Sequence, residues 1–211
     1  TVGKGIVDPG FVDNHVIFGA LTGAIIWNLI TWYYGLPSSS SHALIGGMIG
    51  ATIAKAGTGP LLGPGIIKTA SFIVVAPVLG MFLSGSIIVA LSWLLRSKTQ
   101  HQTDRRFRRL QYVSSALYSI GHGSNDAQKT MGIIWLLLMS AGLATARHLP
   151  NWVVIACYVA IALGTLFGGW RIVKTLGHSI TRLQPVGGFC AETAAAVAIF
   201  GFTKIRGVSI S

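Results

Sequence analysis

The segment His15–Tyr34, HVIFGALTGAIIWNLITWYY, is an apolar run long enough to cross a membrane once, since about 20 apolar residues in a helix span a hydrocarbon core about 30 Å thick. Its last residues include several Trp and Tyr side chains, which favour the membrane–water interface. Comparable apolar runs follow at Ile66–Leu95, Trp152–Val173 and about Pro185–Thr203. The pattern predicts an all-α protein with several membrane crossings.

The composition supports the same conclusion. Of the 211 residues, 52% are hydrophobic and 10% are charged, a balance that is too apolar for a water-soluble domain. The net charge of +11 arises from Lys and Arg residues in the connections and not from a basic face with interleaved aromatics, so nucleic acid is not an expected partner. The densest basic stretch, 96–110, is predicted to be a cytoplasmic loop between a first part, 1–95, and a second part, 111–211.

A first polar interruption follows His15–Tyr34, where Pro37 and the serines of 38–41 precede another apolar, glycine-rich stretch. Pro and Ser are typical of a helix N-terminus, so a new helix is predicted to begin here. Serine hydroxyls beside the N–H groups of a helix N-terminus would form an oxyanion site that carries no fixed positive charge. An ordinary serine cap after a proline turn is the alternative.

A second polar interruption, GHGSND at Gly121–Asp126, divides the apolar segment 111–142. Neither flanking half is long enough to span a membrane comfortably, so the segment is predicted to be either a broken crossing helix or a re-entrant hairpin. Freed carbonyls together with the oxygens of Ser124, Asn125 and Asp126 suit Na⁺. The helix N-terminus after the interruption suits an anion. The interruption is therefore predicted to hold an anion and a cation together.

Two of the five acidic residues, Asp126 and Glu192, fall within apolar segments. An ionisable side chain in a membrane normally marks an ion path or belongs to a charge pair. For Asp126 the structural alternative is a pair with Lys129, one turn further on, and Lys129 and Gln128 are also placed to reach a bound anion. His122 is either a proton carrier beside the interruption or a packing residue.

At these residues the chain resembles the inorganic phosphate transporter (PiT) family. Gly121–Lys129, GHGSNDAQK, is similar to the Asn-Asp motif of that family's second half, and its ending resembles bacterial low-affinity members. Leu36–His42, LPSSSSH, is similar to the first-half Pro-Ser element, and Gly188–Thr193, GFCAET, to the stretch with an intramembrane glutamate. The chain resembles a fragment that lacks the first Asn-Asp repeat, with 207–211 as a remnant of a second Pro-Ser element.

The resemblance implies an inverted-repeat secondary transporter with discontinuous or re-entrant helices, in which 1–95 is the remainder of the first repeat and 111–211 is the second. Such a protein is no enzyme and needs no cofactor other than bound Na⁺. It would move inorganic phosphate by symport with Na⁺ or H⁺ across the lipid bilayer of a bacterial inner membrane, as a monomer or a homo-oligomer.

The residues and the resemblance together give a set of expected ligands. For phosphate they are Ser39, Ser40, Ser41, Asn125, Asp126 and Gln128. For the coupling ion they are Ser124, Asp126, Glu192 and His122, with Asp126 and Asn125 as the Na⁺ ligands.

Three other functions are compatible with parts of the pattern. A sulfate or other oxyanion permease would use the same architecture, because hydroxyls and helix N-termini distinguish tetrahedral anions poorly. An intramembrane serine hydrolase would use one of the serines 38–41 with His42 or His122 as base, although Ser41 and His42 are sequence neighbours, which is poor geometry for attack. A purely structural membrane subunit would leave Asp126 and Glu192 unexplained.

Overall fold

The computed structural model describes residues 5–143, 149–180 and 184–206, and six long helices carry most of them. The helices are α1 Asn14–Tyr34, α2 Ser40–Ala56, α3 Gly63–Leu94, α4 Gln100–Ser140, α5 Asn151–Lys174 and α6 Pro185–Arg206. A short 3₁₀ turn, Pro9–Phe11, precedes α1, and a π-helical turn, Thr175–Ile180, follows α5. The all-α prediction is confirmed. The segment 207–211, which resembles a second Pro-Ser element, lies outside the described residues.

The first polar interruption separates α1 from α2, as the sequence predicts. α1 ends at Gly35, whose φ of 68° is left-handed and favours glycine. Its Cβ position is also crowded, 3.1 Å from Thr175 Oγ1. Ser39 then caps α2, since its hydroxyl accepts a hydrogen bond from the His42 N–H at 3.3 Å.

The pair α1 and α2 packs through small residues, so that the two backbones lie close together. Gly19 faces Ala51, and a Cβ added at Gly19 would lie 3.2 Å from the Ala51 Cβ. Gly47 sits directly against the backbone of Ala20, where a Cβ would clash with the carbonyl oxygen. Small residues at such contacts are typical of helix packing in membranes.

α4 runs without interruption through Gly121–Asp126, so the prediction of a broken or re-entrant helix at this segment is wrong. Glycine inside a helix costs only about 1 kcal/mol relative to alanine, which is too little to break a long helix by itself. Gly121 has a packing role instead, because a Cβ there would lie 3.1 Å from the ring of Phe200 on α6. Gly121 thus permits a close contact between α4 and α6.

The basic stretch is also mostly helical. α4 begins at Gln100, so only the first residues of 96–110 connect α3 to α4, and the prediction of a loop over the whole stretch is wrong. Arg and Lys are good helix formers, so a dense basic run does not oppose helix formation. The placement of this stretch in the cytoplasm stays a prediction.

Within the described residues, three helices have the length and composition of membrane crossings: Asn14–Tyr34, Gly63–Leu94 and Asn151–Gly177. The apolar part of α6, Pro185–Gly201, is shorter. These helices match the predicted spans to within a few residues. α3, at 32 residues, is about 48 Å long and contains Pro77 without a break in the helix. A helix longer than the hydrocarbon core is accommodated by tilting.

The described residues form two compact units. Unit one comprises those of 1–70 and 126–180, and unit two comprises those of 71–125 and 181–211. One boundary therefore falls inside α3, between Ala70 and Ser71, and another inside α4, between Asn125 and Asp126. In unit one, Ala127 and Met131 of α4 pack with Val153 and Cys157 of α5 in a buried cluster. In unit two, the rings of Phe107 and Phe189 meet edge to face. The division into repeats at 1–95 and 111–211 stays a prediction.

Candidate functional site

The serines of 38–41 are not equivalent in the structure. Ser39 is the N-cap of α2, as described above, and Ser40 is exposed in the first turn. Ser41 is half-buried, and its hydroxyl oxygen accepts a hydrogen bond from Lys129 Nζ at 2.7 Å. The sequence places four hydroxyls together, and within the described residues Ser41 is the one with a charged partner.

Lys129 also forms an ion pair with Asp126 within unit one. Its Nζ lies 2.9 Å from Asp126 Oδ1, and the lysine side chain is 10% exposed while the aspartate is 25% exposed. The two residues are three positions apart on α4, a spacing that places them on the same face of the helix. The alternative interpretation of Asp126, as a charge pair with Lys129, is thus confirmed, and Ser41 extends the pair into a cluster of three.

This Ser41–Asp126–Lys129 cluster lies on a different face of α4 from the apolar contacts of that helix with α5. Ala127, next to Asp126, is fully buried, and Met131 is 5% exposed two residues beyond Lys129. Charges that are removed from water are costly unless they are paired and hydrogen-bonded. The pairing with Asp126 and the hydroxyl of Ser41 meet that requirement for Lys129.

The cluster places a positive charge beside the start of α2. A helix N-terminus carries the positive end of the helix dipole and favours anions. The Lys129 ammonium, bound to Ser41 in the first turn of α2, adds a full charge at the same place. A hydroxyl, an ammonium and a helix N-terminus together can bind the oxygens of a tetrahedral anion.

A second cluster lies in unit two and surrounds Glu192 of α6. Its carboxylate accepts hydrogen bonds from Ser114 Oγ at 2.5 Å and from Ser115 Oγ at 2.7 Å. Hydrogen bonds of hydroxyls to carboxylates are short because the acceptor is charged. Both serines come from α4 and Glu192 from α6, so this Glu192–Ser114–Ser115 cluster joins the two helices.

The remaining expected ligands have separate surroundings. Asn125 is buried, with 4% of its surface exposed. His122 is half-buried and stacks on Tyr118, with ring centroids 5.3 Å apart and planes inclined by 14°. Ser124 is half-buried, and Gln128 is exposed.

Three residues of these clusters were missed by the sequence analysis in whole or in part. Ser114 and Ser115 were not singled out, although two adjacent serines in an apolar segment are a usable signal for a buried polar contact. Lys129 was considered only as a partner of Asp126 or of an anion, and its bond to Ser41 was not expected.

Comparison with known proteins identifies the family. The model of the phosphate transporter family matches residues 1–106 and 95–211. The chain belongs to the phosphate transporter family. The resemblance to inorganic phosphate transporters is therefore confirmed, and the chain is a multi-pass protein of the cell membrane and not an enzyme.

Two bacterial relatives, each named probable low-affinity inorganic phosphate transporter, show the extent of the likeness. The protein of Rhizobium meliloti (strain 1021) is 54% identical over 212 residues, which cover 100% of this chain and 63% of the relative. The protein of Bacillus subtilis (strain 168) is 46% identical over 209 residues, covering 98% of this chain and 63% of the relative. The chain thus spans less than two thirds of the length of these phosphate transporter family members.

A solved structure named the sodium-dependent phosphate transporter has the same fold. It aligns with a TM-score of 0.82 at 21% sequence identity, covering 100% of this chain and 71% of the solved chain. This likeness supports the all-α, polytopic architecture of the phosphate transporter family for the chain.

Proposed function

We propose that the chain forms part of a secondary transporter that moves inorganic phosphate across the membrane by symport with Na⁺ or H⁺. The observation that carries the proposal is the contact of Lys129 Nζ with Ser41 Oγ at 2.7 Å at the start of α2. It brings hydroxyl, ammonium and helix dipole to one place, and all three favour an oxyanion.

Phosphate would bind to unit one by accepting hydrogen bonds from the Ser41 hydroxyl and the Lys129 ammonium. Asp126 neutralises part of the positive charge, so the anion is attracted without being held too tightly for release. Gln128, exposed on the same helix one residue before Lys129, is a further proposed phosphate ligand. Among the serines, Ser39 supports the site by capping α2, and Ser40 stands at the exposed edge of the first turn. Asn125, which is buried in unit two, stays a separate prediction as a phosphate ligand.

The coupling ion is proposed to act at Glu192. Its carboxylate accepts hydrogen bonds from the hydroxyls of Ser114 and Ser115. A hydroxyl can also rotate its O–H bond away and offer its oxygen to a bound cation. An acidic residue in a membrane helix is a common element of ion and proton pathways. Ser124 and His122 of α4 are proposed to assist, His122 as a proton carrier. The solved relative named sodium-dependent supports Na⁺ as one of the two candidate ions.

Uptake of labelled phosphate into proteoliposomes that contain the full-length transporter tests the proposal. We expect uptake that is blocked by a large excess of unlabelled phosphate and unaffected by the same excess of sulfate. Blocking by sulfate would instead assign the architecture to a less selective oxyanion permease. Absence of any uptake driven by a Na⁺ or H⁺ gradient would contradict the proposal.

A matched pair of serine variants locates the anion. Ser41→Ala removes a hydroxyl that contacts Lys129, whereas Ser38→Ala removes an exposed hydroxyl that precedes α2. Since a hydrogen bond to a charged group contributes about 1.5–3 kcal/mol, Ser41→Ala is expected to weaken phosphate affinity by about tenfold or more, with Ser38→Ala near wild type. Equal effects of the two variants would place the anion elsewhere.

A further inference from the structure

We infer that Lys129 is a built-in cation, whose ammonium occupies the position between Asp126 and Ser41 that a Na⁺ would otherwise take. Phosphate would then bind beside this cluster without a Na⁺ at Asp126. The inference rests on the proposed phosphate transport and specifies which cation serves the anion site. It applies to the Ser41–Asp126–Lys129 cluster alone, so the ion that acts at Glu192 is a separate matter.

The ligands of the ammonium are those that a hard cation prefers. Lys129 Nζ lies 2.7 Å from a hydroxyl oxygen and 2.9 Å from a carboxylate oxygen. Na⁺ also binds carboxylate, hydroxyl and carbonyl oxygens. Two cations cannot share this small set of oxygens, because their charges repel each other strongly in a site that is poor in water. The sequence-based expectation of a Na⁺ held by Asp126 therefore does not fit the donors that the structure leaves at this carboxylate.

The continuous backbone of α4 also argues against a Na⁺ bound at Asp126. A Na⁺ site at a helix break relies on carbonyl oxygens that the broken helix no longer uses. α4 is continuous from Gln100 to Ser140, so the carbonyls of Gly121–Asp126 accept the hydrogen bonds of the helix itself. The oxygens that would complete a Na⁺ shell at Asp126 are thus engaged in the helix, and the lysine supplies the positive charge.

The burial of Lys129 explains why it stays at this position. Its side chain is 10% exposed. Breaking a buried ion pair leaves an uncompensated charge, which is strongly unfavourable. The lysine is therefore held at Asp126 even when the anion has left, whereas a free Na⁺ would have to be taken up in each cycle.

Uptake by the full-length transporter with Na⁺ or K⁺ as the external cation tests the inference. Wild type sets the reference ratio of uptake in Na⁺ to uptake in K⁺, whichever ion acts at Glu192. Lys129→Ala should lose about tenfold or more of the uptake in K⁺, because each 1.4 kcal/mol of lost attraction is tenfold, and Na⁺ should restore a large part of it, so that its ratio rises well above that of wild type. Lys129→Arg keeps the charge and should keep the wild-type ratio.

Lys55→Ala is the matched control, because Lys55 also pairs with an aspartate of unit one, Asp13, but at an exposed position. It should not create a Na⁺ requirement. A Lys129→Ala protein whose ratio of uptake in Na⁺ to uptake in K⁺ is no larger than that of wild type would overturn the inference.

A binding measurement separates failure of the inference from failure of the proposed function. Ligands that bind only the folded protein raise its melting temperature. In detergent, Na⁺ should stabilise Lys129→Ala more than K⁺ does, and Lys129→Ala combined with Asp126→Asn should lose the difference. If wild type transports no phosphate with either cation, the proposed function fails. The melting difference still tests whether Lys129 takes the place of a Na⁺ at Asp126. Equal melting of Lys129→Ala in Na⁺ and K⁺ would contradict the inference.

Discussion

Asp126 and Glu192 are both carboxylates within helices of a membrane protein, and they differ in their partners. Asp126 lies 2.9 Å from the ammonium of Lys129, so the pair is neutral as a whole. Glu192 accepts hydrogen bonds from two neutral hydroxyls, at 2.5 and 2.7 Å, and within the described part of the chain these are its side-chain partners. One carboxylate is neutralised by charge, and the other is stabilised only by dipoles.

The difference assigns the two carboxylates to different tasks. A proton or a metal ion that approaches Asp126 must first displace Lys129, which costs the energy of the ion pair. An ion that approaches Glu192 needs only to turn two hydroxyls. The Ser41–Asp126–Lys129 cluster is therefore suited to keep a fixed arrangement of charges beside a bound anion. The Glu192–Ser114–Ser115 cluster is suited to a carboxylate whose charge changes during the transport cycle.

Replacement of Asp126 is expected to have the largest effect. Asp126→Asn leaves the part-buried Lys129 ammonium without its counterion, which costs more than the loss of an exposed pair and less than the about 3–5 kcal/mol of a fully buried one. Phosphate uptake by the full-length protein should fall by about 30-fold, the equivalent of about 2 kcal/mol, and the melting temperature should also fall. Asp104→Asn, near the basic start of α4, is the control and should stay near wild type in both measurements. An Asp126→Asn protein with unchanged uptake would show that the ion pair has no part in transport.

Replacement of Glu192 should affect transport more than stability. The amide oxygen of Glu192→Gln can still accept a hydrogen bond from Ser114 or Ser115, so the helices should stay joined. The loss of the ionisable group should reduce uptake by about tenfold or more, the equivalent of at least about 1.4 kcal/mol, because no charge remains to bind the coupling ion, and should flatten the dependence of uptake on pH. A pH profile that matches wild type would remove Glu192 from the coupling step.

A packing change at the contact of α1 with α2 should disturb the Ser41–Asp126–Lys129 cluster. Gly47→Ala would push α2 away from Ala20 of α1, because a Cβ at Gly47 clashes with that backbone. We expect a destabilisation of about 1.5 kcal/mol, typical of overpacking, together with weaker phosphate binding at Ser41. Gly50→Ala is the control, since a Cβ there meets open space. Equal melting temperatures for the two variants would contradict the close contact between α1 and α2.

The continuity of α4 through Gly121–Asp126 is tested by a substitution at Gly123. A Cβ at Gly123 meets no atom within 4 Å, so Gly123→Ala introduces no clash. In a continuous helix this change should stabilise the protein by about 0.5–1 kcal/mol, because alanine favours the helix. The melting temperature should rise and uptake should be kept. A strong loss of uptake without loss of folded protein would favour a helix that opens at Gly123.

The exposed pair Asp13–Lys55 gives the smallest effect and a reference for the buried pair. The hydrogen bond from Lys55, followed by that from the Val16 N–H, lowers the pKa of Asp13 from 3.8 to about 2. Because the pKa is depressed in the folded state, the stabilisation is complete above about pH 4 and is lost as the pH falls toward 2. The melting temperature should fall slightly over that pH range, and Asp13→Asn should abolish this dependence on pH.

Salt should distinguish the exposed pair from the buried one. Salt screens exposed charges, so added KCl should reduce the difference between wild type and Asp13→Asn and leave the effect of Asp126→Asn nearly unchanged. Equal screening of both pairs would mean that Asp126 and Lys129 are more accessible to water than their exposed fractions indicate.

The membrane helices were predictable because each depends on a property of its own segment. The lengths of the apolar runs predict the membrane-spanning helices, and α1 and α5 begin within one residue of the predicted positions. Pro37 and the serines gave the start of α2, since capping acts within one turn. The continuity of α4 was not predictable, because a glycine can serve either as a hinge or as a contact, and the ring that decides between them belongs to Phe200 on another helix.

The candidate site was predictable only in its components. Asp126, Glu192 and the serines stood out as polar residues in apolar surroundings. Their partners depend on tertiary packing, since Ser41 and Lys129 are 88 positions apart and Ser114 and Glu192 are 78 apart. No local pattern in the sequence links such distant residues.

The position of phosphate in an experimental structure of the full-length protein tests the proposed function most directly. Crystals or vitrified particles prepared with phosphate should show an anion within hydrogen-bonding distance of Ser41 Oγ and Lys129 Nζ, at the first turn of α2. An anion bound at another place, with Ser41 and Lys129 in contact only with each other and with Asp126, would contradict the proposed site.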